Sequence, residues 1–387
     1  MLTNVVLALT LTAVPGAALA APHTADALDT ELLESKLDAF ADLADHSVLV
    51  EVRSGDETWS EAAGPRSLDE DARDAQPGDR VRIGSASKSM VAVILLQLQG
   101  EGAVDLDDPI GDYLPGLLPY EEDPTIREIL QHRSGVPDFL PRLYPSLAEG
   151  SLDDVRDGYR NHYEPEELVA IGTQGPLLFD PGEGWSYSNT GYMALGLLIE
   201  ELTGNGYGHE LTERIIEPAG LERTYFPRGD TSGIRGPHSV PYVTTGEPED
   251  PYFDATELSN SQLWAPGGVM STVGDVNDFY EAVTDGTLLT ADQLAEATEY
   301  VDTGRSYQYG LGLEARKLGC PDDPNEVFLG HTGDGLGHQT YSFHSYDGER
   351  QITLSWNLDD KHGYVDPDTF DQAVDELVEA GLCGAPS

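Results

Sequence analysis

The chain has 387 residues and a formal net charge of −49, from 70 acidic side chains against 21 basic ones. That balance excludes nucleic-acid binding by the ordinary electrostatic route and argues against docking on anionic lipid. Such acidity, with lysine reduced to four residues, resembles the surface of salt-adapted proteins, whose carboxylates stay solvated where salt screens their mutual repulsion.

The first twenty residues read as a signal peptide. Residues 5–14 are apolar, and Ala18-Leu19-Ala20 before Ala21 fits a small-residue cleavage site, although the first basic residue is Lys36 and the usual positive n-region is missing. The apolar stretch falls short of the ~20 residues a spanning helix needs, so no membrane anchorage is expected and the protein is predicted to be secreted and extracellular. Strands are predicted over 47–53 and 58–64. An apolar run over 91–98 reads as a buried helix opening at or near Ser85. Helix signals then recur at 125–132, 164–172, 192–203 and 207–218, separated by Gly- and Pro-bearing loops. Strand-like runs return at 309–317, 327–333, 339–346 and 351–358, followed by a helix over 368–380. Strands at both ends with helices between them predict an α+β fold, an antiparallel sheet flanked by helices. A helical lobe over about 112–263 is expected as an insertion within one catalytic domain covering 26–387.

Three motifs carry chemistry. In Ser85-Ala86-Ser87-Lys88 a hydroxyl and an amine stand three residues apart, on one face of a helix start. A serine there faces unpaired N–H groups and the positive end of the helix dipole, and a desolvated lysine can serve as its general base. In Tyr187-Ser188-Asn189 the phenol can relay a proton and the amide can hold a substrate carbonyl. In His331-Thr332-Gly333 a strand ends at a glycine, where an extended substrate backbone can approach.

With those motifs in that order, the chain resembles the serine hydrolases of the penicillin-binding protein and class C β-lactamase superfamily over roughly residues 30–384. It is most similar to secreted D-alanyl-D-alanine carboxypeptidases of actinomycete type, whose third motif reads His-Thr-Gly. The resemblance implies Ser85 as acylated nucleophile, Lys88 as its proton acceptor and Tyr187 as proton shuttle. His331 would supply the charge near Tyr187 that lysine supplies elsewhere. Asn189, Thr332 and Gly333 would bind substrate, and the N–H groups of Ser85 and Asp334 would form the oxyanion hole, each donor worth about 10²–10³ in rate. It further implies Trp264 as a cleft wall and His132 as a structural turn residue. Cys320 and Cys383 are the only cysteines; an even pair in an exported chain favours a disulfide, and the related carboxypeptidases place one in the corresponding region.

The resemblance favours a D-Ala-D-Ala carboxypeptidase acting through an acyl-enzyme on cell-wall peptides. Two departures point elsewhere. Those enzymes bind the terminal carboxylate with an arginine after Gly-Leu-Gly-Leu and a threonine after His-Thr-Gly, where this chain has Glu314 and Asp334. Two carboxylates there favour a D-stereospecific peptidase, amidase or esterase with a neutral or cationic leaving group; a β-lactamase comes third and a non-catalytic penicillin-binding module last. The expected partner is a small peptide or β-lactam, with no nucleic acid or membrane. A monomer is expected, and no cofactor or metal. Asp105-Leu106-Asp107-Asp108 lacks the glycine and glutamate of a calcium loop, and Gly333-Asp334-Gly335-Leu336-Gly337 has no following helix to bind a nucleotide.

The acidic surplus predicts that the melting temperature rises as sodium chloride is raised from millimolar to molar concentration. A flat or falling melting temperature removes the salt-adaptation reading.

Overall fold

The computed structural model describes residues 27–43, 46–228, 231–321 and 323–383; the predicted leader, residues 1–20, lies outside them. Helix α1 (Thr30–Ala41) leads into the hairpin β1 (Val48–Ser54) and β2 (Glu57–Ala63). Helix α2 (Ser87–Gly100) follows, then helix α3 (Asn189–Thr203) and helix α4 (Val273–Thr284). The chain then returns through β3 (Val301–Asp302), β4 (Gln308–Tyr309), β5 (Glu314–Arg316), β6 (Phe328–Asp334), β7 (Gln339–His344) and β8 (Arg350–Trp356), and ends on helix α5 (Pro367–Leu382). Among the described residues these eight strands form one sheet in the order β2-β1-β8-β7-β6-β5-β4-β3, every pair antiparallel. The central pairing sets Val48 opposite Trp356 and Val52 opposite Ile352, so strands from the two ends of the chain meet in the middle.

Both faces of this sheet are covered, and β1 and β8 are buried along nearly their whole length. On one face Leu33, Leu37 and Phe40 of α1 and Leu377 and Val378 of α5 bury against Val50, Phe343 and Leu354. On the other, α2 is enclosed by residues of α3 such as Tyr192 and Leu195 and by Phe279 and Val283 of α4. Eleven residues of α2 are buried, so it has no polar face and runs through the core. Helix α3 is capped at its start by the Ser188 side chain, which accepts from Gly191 N, and stopped by Gly204 at φ +72°.

Local chemistry explains where the elements depart from expectation. The segment 125–132 is helical only over Ile126–Leu130, opened by a Thr125/Glu128 capping box and ended before His132, which is left-handed at φ 59°. The helix expected over 207–218 is α-helical only over Tyr207–Leu211 and continues as a wider π turn over Thr212–Ile216. The strand expected over 309–317 is split into β4 and β5 by a turn at Gly312, φ +66°. A Cβ there would stand 2.6 Å from the Cβ of Ala92 and 2.8 Å from the carbonyl of Lys88, so this turn seats directly on α2. Among the described residues no helix is long and apolar enough to cross a membrane.

Cys320 and Cys383 are bonded, at a sequence separation of 63, and tie the segment after β5 to the end of α5. Closing a loop of that size contributes about 4 kcal/mol in the chain-entropy limit. Cys383→Ser should therefore lower the unfolding free energy by about that amount, read from denaturant melts under non-reducing conditions. A variant melting with the wild type would show that the bond adds nothing.

Candidate active site

Gly84, at φ +55°, opens a single 3₁₀ turn (Gly84–Ala86) ahead of α2, and this turn presents Ser85 at the mouth of the fold, half-buried. One helical turn on, Lys88 is fully buried. Its Nζ lies 3.1 Å from Ser85 Oγ, 2.8 Å from Asn189 Oδ1 and 2.9 Å from the Pro266 carbonyl. The rings of Tyr187 and Tyr192 stand 4.8 and 5.5 Å away. Burial pulls the Lys88 pKa down to about 7, against the opposing pull of Asp138 and Glu314. Near neutral pH a large fraction is thus a free amine beside the Ser85 hydroxyl, able to accept its proton.

Asn189 opens α3 with its amide oxygen towards Lys88, an orientation fixed by its Nδ2, which donates to Asp138 Oδ2 at 2.8 Å. Asp138 was not foreseen from the sequence; it lies 51 residues from Asn189, and no local spacing links the two. The Tyr187 hydroxyl is buried without a hydrogen-bond partner. Burial pushes its pKa well above the ordinary phenol range, the nearby Ser85 hydroxyl opposing. Tyr187 is therefore protonated near neutral pH, suited to hand a proton to a departing group.

The carboxyl end of β6 closes the site from the other side. A Cβ on Gly333 would stand 2.0 Å from the Ile83 carbonyl oxygen, and one on Gly84 would stand 2.5 Å from the Asp334 backbone, so only glycine lets the strand press against the nucleophile turn. This contact sets the Ser85 and Asp334 backbones side by side, as an oxyanion hole requires.

Three sequence expectations change. His331 does not bring charge to Tyr187. Its Nε2 meets the Tyr309 hydroxyl at 2.9 Å while Nδ1 faces the Thr332 carbonyl, an arrangement that suits the neutral ring with its proton on Nδ1. Burial pulls its pKa down to about 4, the Glu314 carboxylate opposing. Glu314 does not face the substrate cavity: it is buried, gripped by Arg316 through Nε at 3.0 Å and Nη2 at 2.8 Å, and accepts from Thr332 N at 3.1 Å and Thr332 Oγ1 at 2.7 Å. Burial raises its pKa, but its neighbours His331 and Arg316 and these donors outweigh that and hold it below the ordinary range. The Thr332 hydroxyl proton is thereby committed to Glu314. Trp264 is core rather than cleft wall, 8% exposed, packed against Tyr207 and onto α3 where Gly196 leaves room for its ring. The cavity wall is made instead by its neighbours Leu263, Pro266 and Gly267.

That cavity, about 290 Å³, opens on Ser85, Tyr187 and Asn189. Its depth is apolar, with Phe139, Leu140, Tyr144, Val155 and Leu258, while Asp334 and Lys361 stand among its lining. Lys361 is a second residue the sequence reading missed.

Ser85→Ala should abolish labelling by a fluorescent penicillin, and Lys88→Ala should leave a folded protein that acylates about 10²–10⁴-fold more slowly. Because the neutral amine is the base, the acylation rate should rise with pH, levelling off above an apparent pKa of about 7. A profile without an inflection between pH 6 and 8 would remove Lys88 from that role.

Comparison with known proteins agrees with this geometry. Residues 37–375 match the family model described as Beta-lactamase. The chain is 26% identical over 316 residues to Penicillin-binding protein 4* of Bacillus subtilis (strain 168), covering 79% of this chain and 65% of that one, just under two thirds of its length. Among solved structures it is similar to a D-stereospecific amidohydrolase from Streptomyces sp., with a TM-score of 0.80, 29% identity and coverage of 92% of this chain and 100% of that one. It is also similar to a D-amino acid amidase from Ochrobactrum anthropi SV3, with a TM-score of 0.76, 26% identity and coverage of 91% and 97%. The chain belongs to the β-lactamase family of serine hydrolases, alongside penicillin-binding proteins and D-amino acid amidases.

Proposed function

We propose that the enzyme hydrolyses amides and short peptides of D-amino acids with bulky apolar side chains, releasing a neutral or cationic amine. The observation that carries this reading is the apolar cavity of about 290 Å³ opening on Ser85. The likeness to a D-stereospecific amidohydrolase and a D-amino acid amidase supports the choice of configuration and bond.

Lys88 takes the Ser85 proton as Oγ attacks the substrate carbonyl, and the carbonyl oxygen, now anionic, is held by the Ser85 and Asp334 N–H groups. Tyr187 gives its proton to the nitrogen as the C–N bond breaks, and regains one from Lys88. Water then attacks the acyl-enzyme, its proton passing to the same pair and on to Ser85 Oγ as the acid leaves. Fully burying an aromatic side chain is worth about 1.5–3 kcal/mol, or roughly tenfold to a hundredfold in kcat/KM over a methyl group.

A second reading, a D-Ala-D-Ala carboxypeptidase, is favoured by the likeness to Penicillin-binding protein 4* and by the Lys361 ammonium among the cavity-lining groups. Steady-state assays separate the two. D-phenylalanine amide should exceed D-alanine amide at least tenfold in kcat/KM, with L-phenylalanine amide slower still. A peptide ending in D-Ala-D-Ala should be cleaved faster as its terminal amide than as the free acid. Preference for the free acid, together with poor turnover of D-phenylalanine amide, would establish the carboxypeptidase in its place.

A further inference from the structure

Lys361 occupies a position that neither the catalytic motifs nor the mechanism above uses. Its Nζ lies 2.5 Å from Asp359 Oδ2 and 3.4 Å from Asp334 Oδ2. Asp334 lines two cavities at once: the one that opens on Ser85, and a neighbour of about 250 Å³ whose walls include Asp359, Asp360 and Asp371. Lys361 thus bridges the residue common to both cavities and a carboxylate of the acidic one.

The loop that carries it is held in place. Leu358 pairs with Tyr242 in a short parallel bridge. His362 N donates to Thr244 Oγ1 at 3.1 Å, and its Nε2 reaches the Gly150 carbonyl at 2.9 Å. Asp360 accepts from Tyr364 N at 3.1 Å and Val365 N at 2.8 Å. An ordinary surface lysine has no such support. Among the residues lining the cavity, Lys361 is the one cation.

The cavity has two unlike ends. Phe139, Val155 and Leu258 are at most 2% exposed, whereas the side chains of Asp334 and Lys361 are 51% and 35% exposed. An acyl carbon on Ser85 has two substituents to place. If the acyl side chain fills the apolar depth, as in the function proposed above, the leaving group lies toward the charged rim. We propose that Lys361 determines leaving-group specificity, its ammonium cancelling the Asp334 carboxylate so that the rim accepts uncharged leaving groups. Without that ammonium the rim presents carboxylates alone, which repel an anionic leaving group and attract a cationic one. The inference rests on the proposed function only for which substituent faces the rim.

The test uses three aryl esters of one small acid, whose phenol leaving groups carry no further charge, a carboxylate or a trimethylammonium group. Each is measured as kcat/KM at low ionic strength and divided by the value for the uncharged ester, so that changes common to all three cancel. Lys361→Met should lower the carboxylate ratio at least tenfold and raise the trimethylammonium ratio several-fold. Lys361→Arg should hold both ratios within about twofold of wild type, and Asp334→Asn should shift them the opposite way, favouring the carboxylate ester. If Lys361→Met scales all three esters equally, or if Asp334→Asn leaves the ratios unchanged, Lys361 only supports the loop and the proposal fails. Esters keep the two readings apart: absence of D-amide turnover would defeat the proposed function while the ratios still report on Lys361.

Discussion

Everything in this site depends on one buried ammonium. Lys88 has no direct carboxylate partner; it is held by two oxygens, one hydroxyl and the faces of two tyrosines. Removing an ammonium from water costs several kcal/mol, and such neutral acceptors return only part of that. The shortfall appears as the fall of its pKa from 10.5 to about 7, equivalent to about 5 kcal/mol of lost preference for the charged form. That loss is what makes the group a base. A carboxylate in contact with Lys88 would stabilise the fold and quench the chemistry. Asp138 is kept one residue away, bonded to Asn189 instead.

Holding Lys88 in that condition needs segments far apart in the chain. The turn ahead of α2 provides Ser85 and α2 itself Lys88, with the end of β6 beside them; the start of α3 provides Asn189, and the segment before α4 provides the carbonyl of Pro266. Close approach of the sheet to the nucleophile turn and α2 is achieved with glycine rather than side chains: Gly84 and Gly333 where β6 meets the nucleophile turn, and Gly312 where the β4–β5 turn meets α2. Each would clash with backbone atoms if it carried a Cβ. The polar gap that remains is narrow enough to exclude water from Lys88 and the Tyr187 hydroxyl, so the desolvation that tunes the base also protects the proton relay.

What could be read in the sequence was the chemistry encoded at short spacing. Ser85 and Lys88 are three residues apart at a helix start, so local geometry alone sets them on one face, and Tyr187 and Asn189 fall within one short motif. The order of strands and helices followed from the same local patterns. Residues whose roles depend on distant partners were misread or missed. Trp264 is aromatic and next to a Pro-Gly turn, which suits a cleft wall as well as a core, and only Gly196 of α3 decides between them. Glu314 was read as a free carboxylate opposing a substrate, although Arg316, two residues on and on the same strand face, neutralises it. Asp138 and Lys361 carry no sequence signal, because their partners lie 51 residues away for Asp138 and 27 away for the Lys361 contact with Asp334.

The charge surplus and the site operate at different depths, and salt separates them. In molar salt the Debye length is about 3 Å, so exposed carboxylates stop sensing one another. The Glu314–Arg316 pair, with side-chain exposures of 3% and 23%, is screened far less. Lys88, with no exposure, senses almost none of it. The tuned base is therefore insulated from the salt that screens the surface of a chain of net charge −49. The rim pair of Asp334 and Lys361 is half-open to solvent and lies between these limits. Its influence on a charged leaving group must fade as salt rises while acylation itself persists. The fold thus fixes in its interior the electrostatics that make the bond-breaking step possible, and leaves at the rim those that select among substrates.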